Sequence, residues 1–208
     1  MGYRQIAVVL LSGALTPLWA QDYYPRHNFT FGAGAALPRG DLGPVLQTSP
    51  GISVGYGYRF HRYFQADVGL DIAFGAAQVK DYLITDIGDF RIRDREYFVP
   101  FGGRAILPLY RGRFLISGGG GGAWLKYVER ISQPSYYFRV DCPVCTSRDG
   151  WGYYAQANLS YFVWQTIRVG ANAKVIRGHT NGESLGPVPG FQTHDKWLLL
   201  NAEIGFSF

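Results

Sequence analysis

The sequence predicts an all-β chain folded as an eight-stranded antiparallel up-and-down barrel. Three observations lead there: segments of alternating polarity, a regular rhythm of long and short connections, and a strand-prone composition. The 208 residues include 15 Tyr, 14 Phe, 5 Trp and 28 Gly, and helix-period patterns are hard to find. The alternation is clearest in the last twelve residues, Trp197 to Phe208. Leu198, Leu200, Ala202, Ile204, Phe206 and Phe208 fall on one face, and Asn201, Glu203, Gly205 and Ser207 on the other, with Leu199 as the exception.

The other strands follow in order. Phe29, Phe31, Ala33 and Ala35 alternate with Asn28, Thr30, Gly32 and Gly34, and a Pro- and Gly-rich stretch from Leu37 to Pro50 follows. Ile52, Val54, Tyr56, Tyr58 and Phe60 mark the second strand, which a short His61-Arg62 connection joins to a third carrying Phe64, Ala66, Val68, Leu70, Ile72 and Phe74. A long polar segment from Ala76 to Asp94 precedes the fourth, where Tyr97, Val99, Phe101 and Ala105 oppose Glu96, Gly102 and Arg104. This strand is untidy, because Phe98 and Pro100 fall on its inner side and Pro100 has no N–H for the ladder. A turn at Pro108 to Gly112 leads to Phe114, Ile116, the run Gly118 to Gly122 and Trp124; such a glycine run between apolar flanks marks a strand that bends or packs closely. After a loop spanning Lys126 to Gly150 come Trp151, Tyr153, Ala155, Ala157, Leu159 and Tyr161. A tight connection at Trp164-Gln165 gives Ile167, Val169, Ala171, Ala173 and Val175, and a loop from Gly178 to His194 returns to the last strand.

The connections thus alternate long and short, which places all short turns at one rim of an antiparallel barrel. About ten residues per strand suffice to cross a hydrocarbon layer when tilted. Aromatics at strand ends, namely Tyr58, Phe60, Tyr63, Trp124, Trp151, Tyr161, Trp164, Trp197 and Phe208, would form interfacial girdles, so the barrel is read as transmembrane, apolar outside and polar inside. A secreted β-sandwich or lipocalin-like barrel is the alternative, and would put the apolar faces inward.

The first residues indicate export. Arg4 precedes a largely apolar run, Ile6 to Leu15, and Leu18-Trp19-Ala20 supplies a small residue for cleavage before Gln21. Residues 1–20 are therefore expected to be a signal peptide and 21–208 one barrel domain. Twenty basic and 15 acidic residues give a net charge of +5, but the excess is dispersed; nucleic-acid binding, which needs a basic patch or stripe, is not indicated. No apolar run after the leader is long enough for a membrane helix.

With the leader, the alternating strands and the terminal Ile204-Gly-Phe-Ser-Phe208 taken together, the chain resembles the eight-stranded outer-membrane β-barrel proteins of the OmpA and OmpX type, the "porin family" barrels. The resemblance implies insertion into a bacterial outer membrane. It also implies that Trp197, Ile204, Phe206 and Phe208 belong to a carboxy-terminal signal read by the barrel assembly machinery, with outer-membrane lipids and lipopolysaccharide as surroundings. A monomer is expected.

The register places Arg59, Asp67, Asp71, Glu96, Arg104, Arg168, Lys174 and Glu203 inside, four of each sign. Buried ions persist only when paired, so a self-neutralising lumen network is expected. An eight-stranded interior is only about wide enough for side chains to fill, which disfavours a general porin and leaves a narrow small-solute channel as an alternative. Cys142 and Cys145 are expected to form a loop disulfide in an oxidising exterior; a metal site lacks further ligands, and no cofactor is indicated. Loop residues Lys80, Arg91, Arg93, Arg130, Arg139 and Arg148 offer charge to lipid headgroups, diluted by neighbouring acids. Outer-membrane lipid A deacylases carry a His-x-Ser-Asn motif near the end of their seventh strand. Here His179 is followed by Thr180 and Asn181, so the nucleophile is missing and a hydrolase is the second alternative. His194-Asp195 is no better as a dyad, because adjacent strand residues face opposite sides. The expected protein is a non-enzymatic barrel serving envelope structure or surface binding.

Overall fold

A computed structural model describes residues 24–44, 46–75, 82–85, 88–132, 146–182 and 192–208. Its strands are β1 (His27–Arg39), β2 (Ser49–His61), β3 (Phe64–Phe74), β4 (Tyr82–Thr85), β5 (Gly88–Leu109), β6 (Phe114–Ser132), β7 (Thr146–Phe162), β8 (Ile167–Gly182) and β9 (Gln192–Ser207). Every pairing is antiparallel, β1 pairs with β9, and β3 pairs directly with β5. Eight strands therefore close the wall, and β4 is a short flap that, among the described residues, pairs with β5 only. The ends meet tightly, with Phe208 N–H donating to His27 O at 2.9 Å and His27 N–H to Phe208 O at 2.7 Å.

The register fixes the stagger. Paired residues run around the wall from Phe29 through Tyr56, Val68, Phe101, Gly122, Tyr153, Arg177 and Lys196 and return to Arg39 on β1, a displacement of 10 residues. Such a stagger over eight strands requires tilted strands, about 35–45° from the barrel axis.

The faces segregate as the alternation predicts. Phe31, Val68, Leu159 and Leu200 are 47%, 47%, 53% and 43% exposed, whereas Asp71, Asn158, Asn172 and Asn201 are buried. Soluble monomers rarely expose contiguous apolar patches beyond a few hundred Å². An outer wall built from such residues on every strand requires a lipid environment, and the sandwich and lipocalin-like alternatives fail. No helix among the described residues is long and apolar enough to cross a membrane.

At the long-loop rim the sequence reading needs correcting. Every described residue of the expected connections Ala76–Asp94, Lys126–Gly150 and Gly178–His194 lies in a strand: β5 starts at Gly88, β6 continues to Ser132, β7 begins at Thr146, β8 runs to Gly182 and β9 starts at Gln192. Polar residues on both faces there give an alternation with no apolar contrast, so the sequence does not mark them as strand. Yet Arg93 pairs with Arg130 and Asp94 with Glu129 in one continuous β5–β6 ladder.

The glycine run lies within β6. A Cβ at Gly122 would strike the Phe101 ring, 2.5 Å from Cζ, so Phe101 lies across the bare glycine and reaches Trp151 edge-on at 6.2 Å. On the inner face, a Cβ at Gly119 would fall 2.2 Å from the Gly103 carbonyl oxygen and 2.6 Å from Cα and Cβ of Arg104, so the bare glycine lets the β5 backbone at Arg104 pack close.

Candidate functional site

The barrel interior is the candidate site, and it is layered. In the half nearer the short turns, charged and amide side chains interlock. Arg104 Nε meets Asp67 Oδ2 at 2.6 Å, and Gln65 Nε2 donates to Asp67 Oδ1 at 2.6 Å. Lys174 Nζ meets Asp71 Oδ2 at 2.6 Å, and Asn158 Nδ2 donates to Glu203 Oε2 at 2.6 Å. Arg168 is 6% exposed and lies over Gly205, where a Cβ would come within 2.5 Å of its Nε. Arg59 sits at the short-turn end, donating from Nε to Arg62 O at 3.1 Å and stacking over Tyr24 at 5.2 Å. Of the eight expected inner charges, four therefore form two ion pairs, Arg59 uses a backbone carbonyl, and Glu203 accepts from an amide.

Glu96 stands apart. Between it and the others lies an apolar tier from inward positions of the wall, with Phe98, Leu125, Ile176 and Trp197 each at 0% exposure. Phe98 and Trp197 meet edge-on at 5.7 Å, and Leu42 and Leu46 from the β1–β2 connection join the same cluster. The lumen is thus not polar throughout, and Trp197 is not a girdle residue: its odd parity, shared with Leu199, turns it into the barrel. The exceptional Leu199, 3% exposed, was the sequence signal for this tier.

Above the tier, beyond the outward apolar band, lies a second charged layer, of which the sequence analysis expected only Glu96 inside. Asp94, Glu96 and Asp195 are 3%, 1% and 3% exposed. Arg148 donates from Nη1 to Thr193 Oγ1 at 2.9 Å and its guanidinium stacks over Tyr127 at 4.5 Å. Burial, reinforced by the Asp195 carboxylate and only partly offset by Arg148, holds the Glu96 carboxyl well above the usual carboxylate range. Burial likewise raises Asp195. Arg148 is a mouth residue rather than a loop cation. Lys80 and Arg139 lie outside the described residues, as do the side chains of Arg91, Arg93 and Arg130.

On the outer wall Ile204 and Phe208 are 43% and 58% exposed, and Phe206 packs edge-on against Phe31 at 6.5 Å. Tyr58, Phe60, Trp151 and Trp164 also stand out from the strand ends. His179 faces outward, directly opposite Trp151 on β7 and His194 on β9. Thr180 points inward at 0% exposure, with its hydroxyl 2.9 Å from that of Thr193, so it does not supply His179 with a nucleophile. Asp195 is buried on the face opposite exposed His194. The expected signal peptide and the Cys142–Cys145 pair lie outside the described residues.

Closed stagger, apolar exterior and filled interior define an eight-stranded barrel with the fold of outer-membrane proteins. Solved structures that share it include neisserial surface protein A, with TM-score 0.54, 11% identity and 88% of this chain aligned to 97% of that one; OprG of Pseudomonas aeruginosa, with 0.54, 11%, 89% and 97%; and Ail, the attachment invasion locus protein of Yersinia pestis, solved with the heparin analogue sucrose octasulfate, with 0.53, 12%, 89% and 100%. No protein-family model and no curated protein sequence matches the chain. At these identities the likeness is one of fold.

Proposed function

We propose that the protein is a non-enzymatic outer-membrane barrel whose lumen is closed and whose long-loop rim serves envelope structure or surface binding. The observation that carries this reading is the apolar tier of Phe98, Leu125, Ile176 and Trp197, which fills the bore between two charged layers. Ions crossing it would lose their hydration with no polar partner, a cost that stops conduction. The extension of β5 to 22 residues and β6 to 19 supports the binding part, because a wall longer than the membrane requires presents a rigid platform outside it. Ail, of the same fold, was solved with a sulfated sugar analogue, which fits a surface-binding role for this rim.

Planar-bilayer recording tests the closure. The wild-type protein should give no discrete conductance, and a Phe98→Ala/Trp197→Ala variant that still inserts should give small openings. Steady unitary currents from the wild type would overturn the closed-lumen reading in favour of a narrow channel.

A further inference from the structure

The outer wall carries a row of cations that the lumen account does not use. Arg39, Lys196 and Arg177 are consecutive partners on β1, β9 and β8, and all three have outward parity. Their long stems stand over an aliphatic row one step nearer the membrane centre, Leu37, Leu198 and Val175, so the charges lie at the edge of the apolar band. Among the described residues none of the three forms an ion pair. Asp195, between His194 and Lys196 in sequence, turns into the barrel instead. Beside the row, a cleft on the outer wall is lined by Trp151, Tyr153, Arg177, His179, His194, Lys196 and the buried Asp195, with Trp151 and Tyr153 each 59% exposed.

Three cations in one row of strand partners, none of them ion-paired among the described residues, flanked by exposed aromatics and rooted in lipid-facing aliphatics, match a ligand that is anionic at the headgroup and apolar below it. The geometry points to a binding site for a phosphate-bearing glycolipid of the outer leaflet. The phosphates are held by Arg39, Lys196 and Arg177, the sugar lies against Trp151 and Tyr153, and the acyl chains lie along the Leu198 and Val175 surface. Lipid is the source because the cations border the apolar band rather than the aqueous mouth, and the outer leaflet follows from the short turns lying at the opposite rim. The site rests on the outer-membrane reading above and adds to it a particular patch of wall.

The test reconstitutes the full protein in phosphatidylcholine vesicles containing a few per cent of bisphosphorylated lipid A. Retained lipid is counted by mass spectrometry of the extracted protein, and insertion is checked by heat-modifiable gel migration. The wild type should retain the bisphosphorylated lipid and lose it when the phosphates are removed. An Arg39→Gln/Arg177→Gln/Lys196→Gln variant should bind about 100-fold more weakly, from roughly a fivefold loss per cation. Lys196→Gln alone should show the single fivefold step should the triple variant fail to insert. Arg113→Gln, at the short-turn rim, should bind as the wild type does. Equal retention by wild type and row variants would overturn the site, as would displacement of the lipid by millimolar inorganic phosphate. Failure of the wild type to insert would instead overturn the outer-membrane reading itself.

Discussion

Removing Lys174 isolates a buried carboxylate, and the size of the effect follows from the geometry. Lys174 Nζ lies 2.6 Å from Asp71 Oδ2, with the two side chains 10% and 3% exposed, so water screens neither. At an effective dielectric constant of about 20, the direct attraction at that distance is about 6 kcal/mol, most of it offset by desolvation of both ions. Lys174→Met removes the attraction and leaves the desolvation of Asp71 uncompensated, for an expected loss of about 3–5 kcal/mol. The double variant Lys174→Met/Asp71→Leu removes both charges and should recover most of that loss. The assay is urea-induced unfolding in lipid vesicles, run as a four-member cycle. Additive single effects, or a loss below about 1 kcal/mol in Lys174→Met, would refute the claim that the pair acts as one desolvated unit.

Two further perturbations probe other layers. Glu96 has a raised carboxyl pKa in the fold, so its contribution is whole below the pKa of the unfolded chain, about 4.3, and is lost as pH rises through the elevated folded value. Glu96→Gln should therefore be more stable than wild type at pH 7 and show a flatter dependence of melting midpoint on pH. Parallel curves would show that Glu96 does not set that dependence. Gly205→Val places side-chain atoms where Arg168 Nε and Cγ now lie, 2.5 and 2.9 Å from the new Cβ, and should cost about 1–3 kcal/mol in the same urea assay. A neutral outcome would mean that Arg168 has room elsewhere.

Fold and register were legible because lipid on one side and packed polar groups on the other impose alternation on every strand. The terminal segment shows it: Leu198, Leu200, Ala202, Ile204, Phe206 and Phe208 point outward in the parity the sequence implies, and Asn201, Glu203 and Ser207 point in. The rule stops giving contrast where both faces are polar, so β5 before Glu96 and β6 beyond Lys126 read as loop although their ladders continue. It also misleads where the interior is apolar. Trp197 looked like an interfacial aromatic because its type fits a girdle, but parity outranks residue type, and Phe98, Leu125, Ile176 and Leu199 had the same inward parity as a common signal. In the upper charged layer Asp94 and Arg148 are hidden for the first reason, since they lie in the polar segments Ala76–Asp94 and Lys126–Gly150, and Asp195 lies between the expected last loop and the last strand. Glu96 and Asp71 share inward parity, yet only knowledge of the intervening apolar tier separates their surroundings.

The central claim is that the apolar face of the wall meets lipid while the polar face fills the bore. Single nitroxide labels at Leu70, Leu159 and Leu200, compared with labels at Ser53 and Asn172, test it in reconstituted vesicles through collision with oxygen and with a water-soluble nickel chelate. The account predicts high oxygen and low chelate accessibility at the three leucine positions, and little access for either reagent at Ser53 and Asn172. Chelate reaching the leucine positions as readily as oxygen does would contradict it.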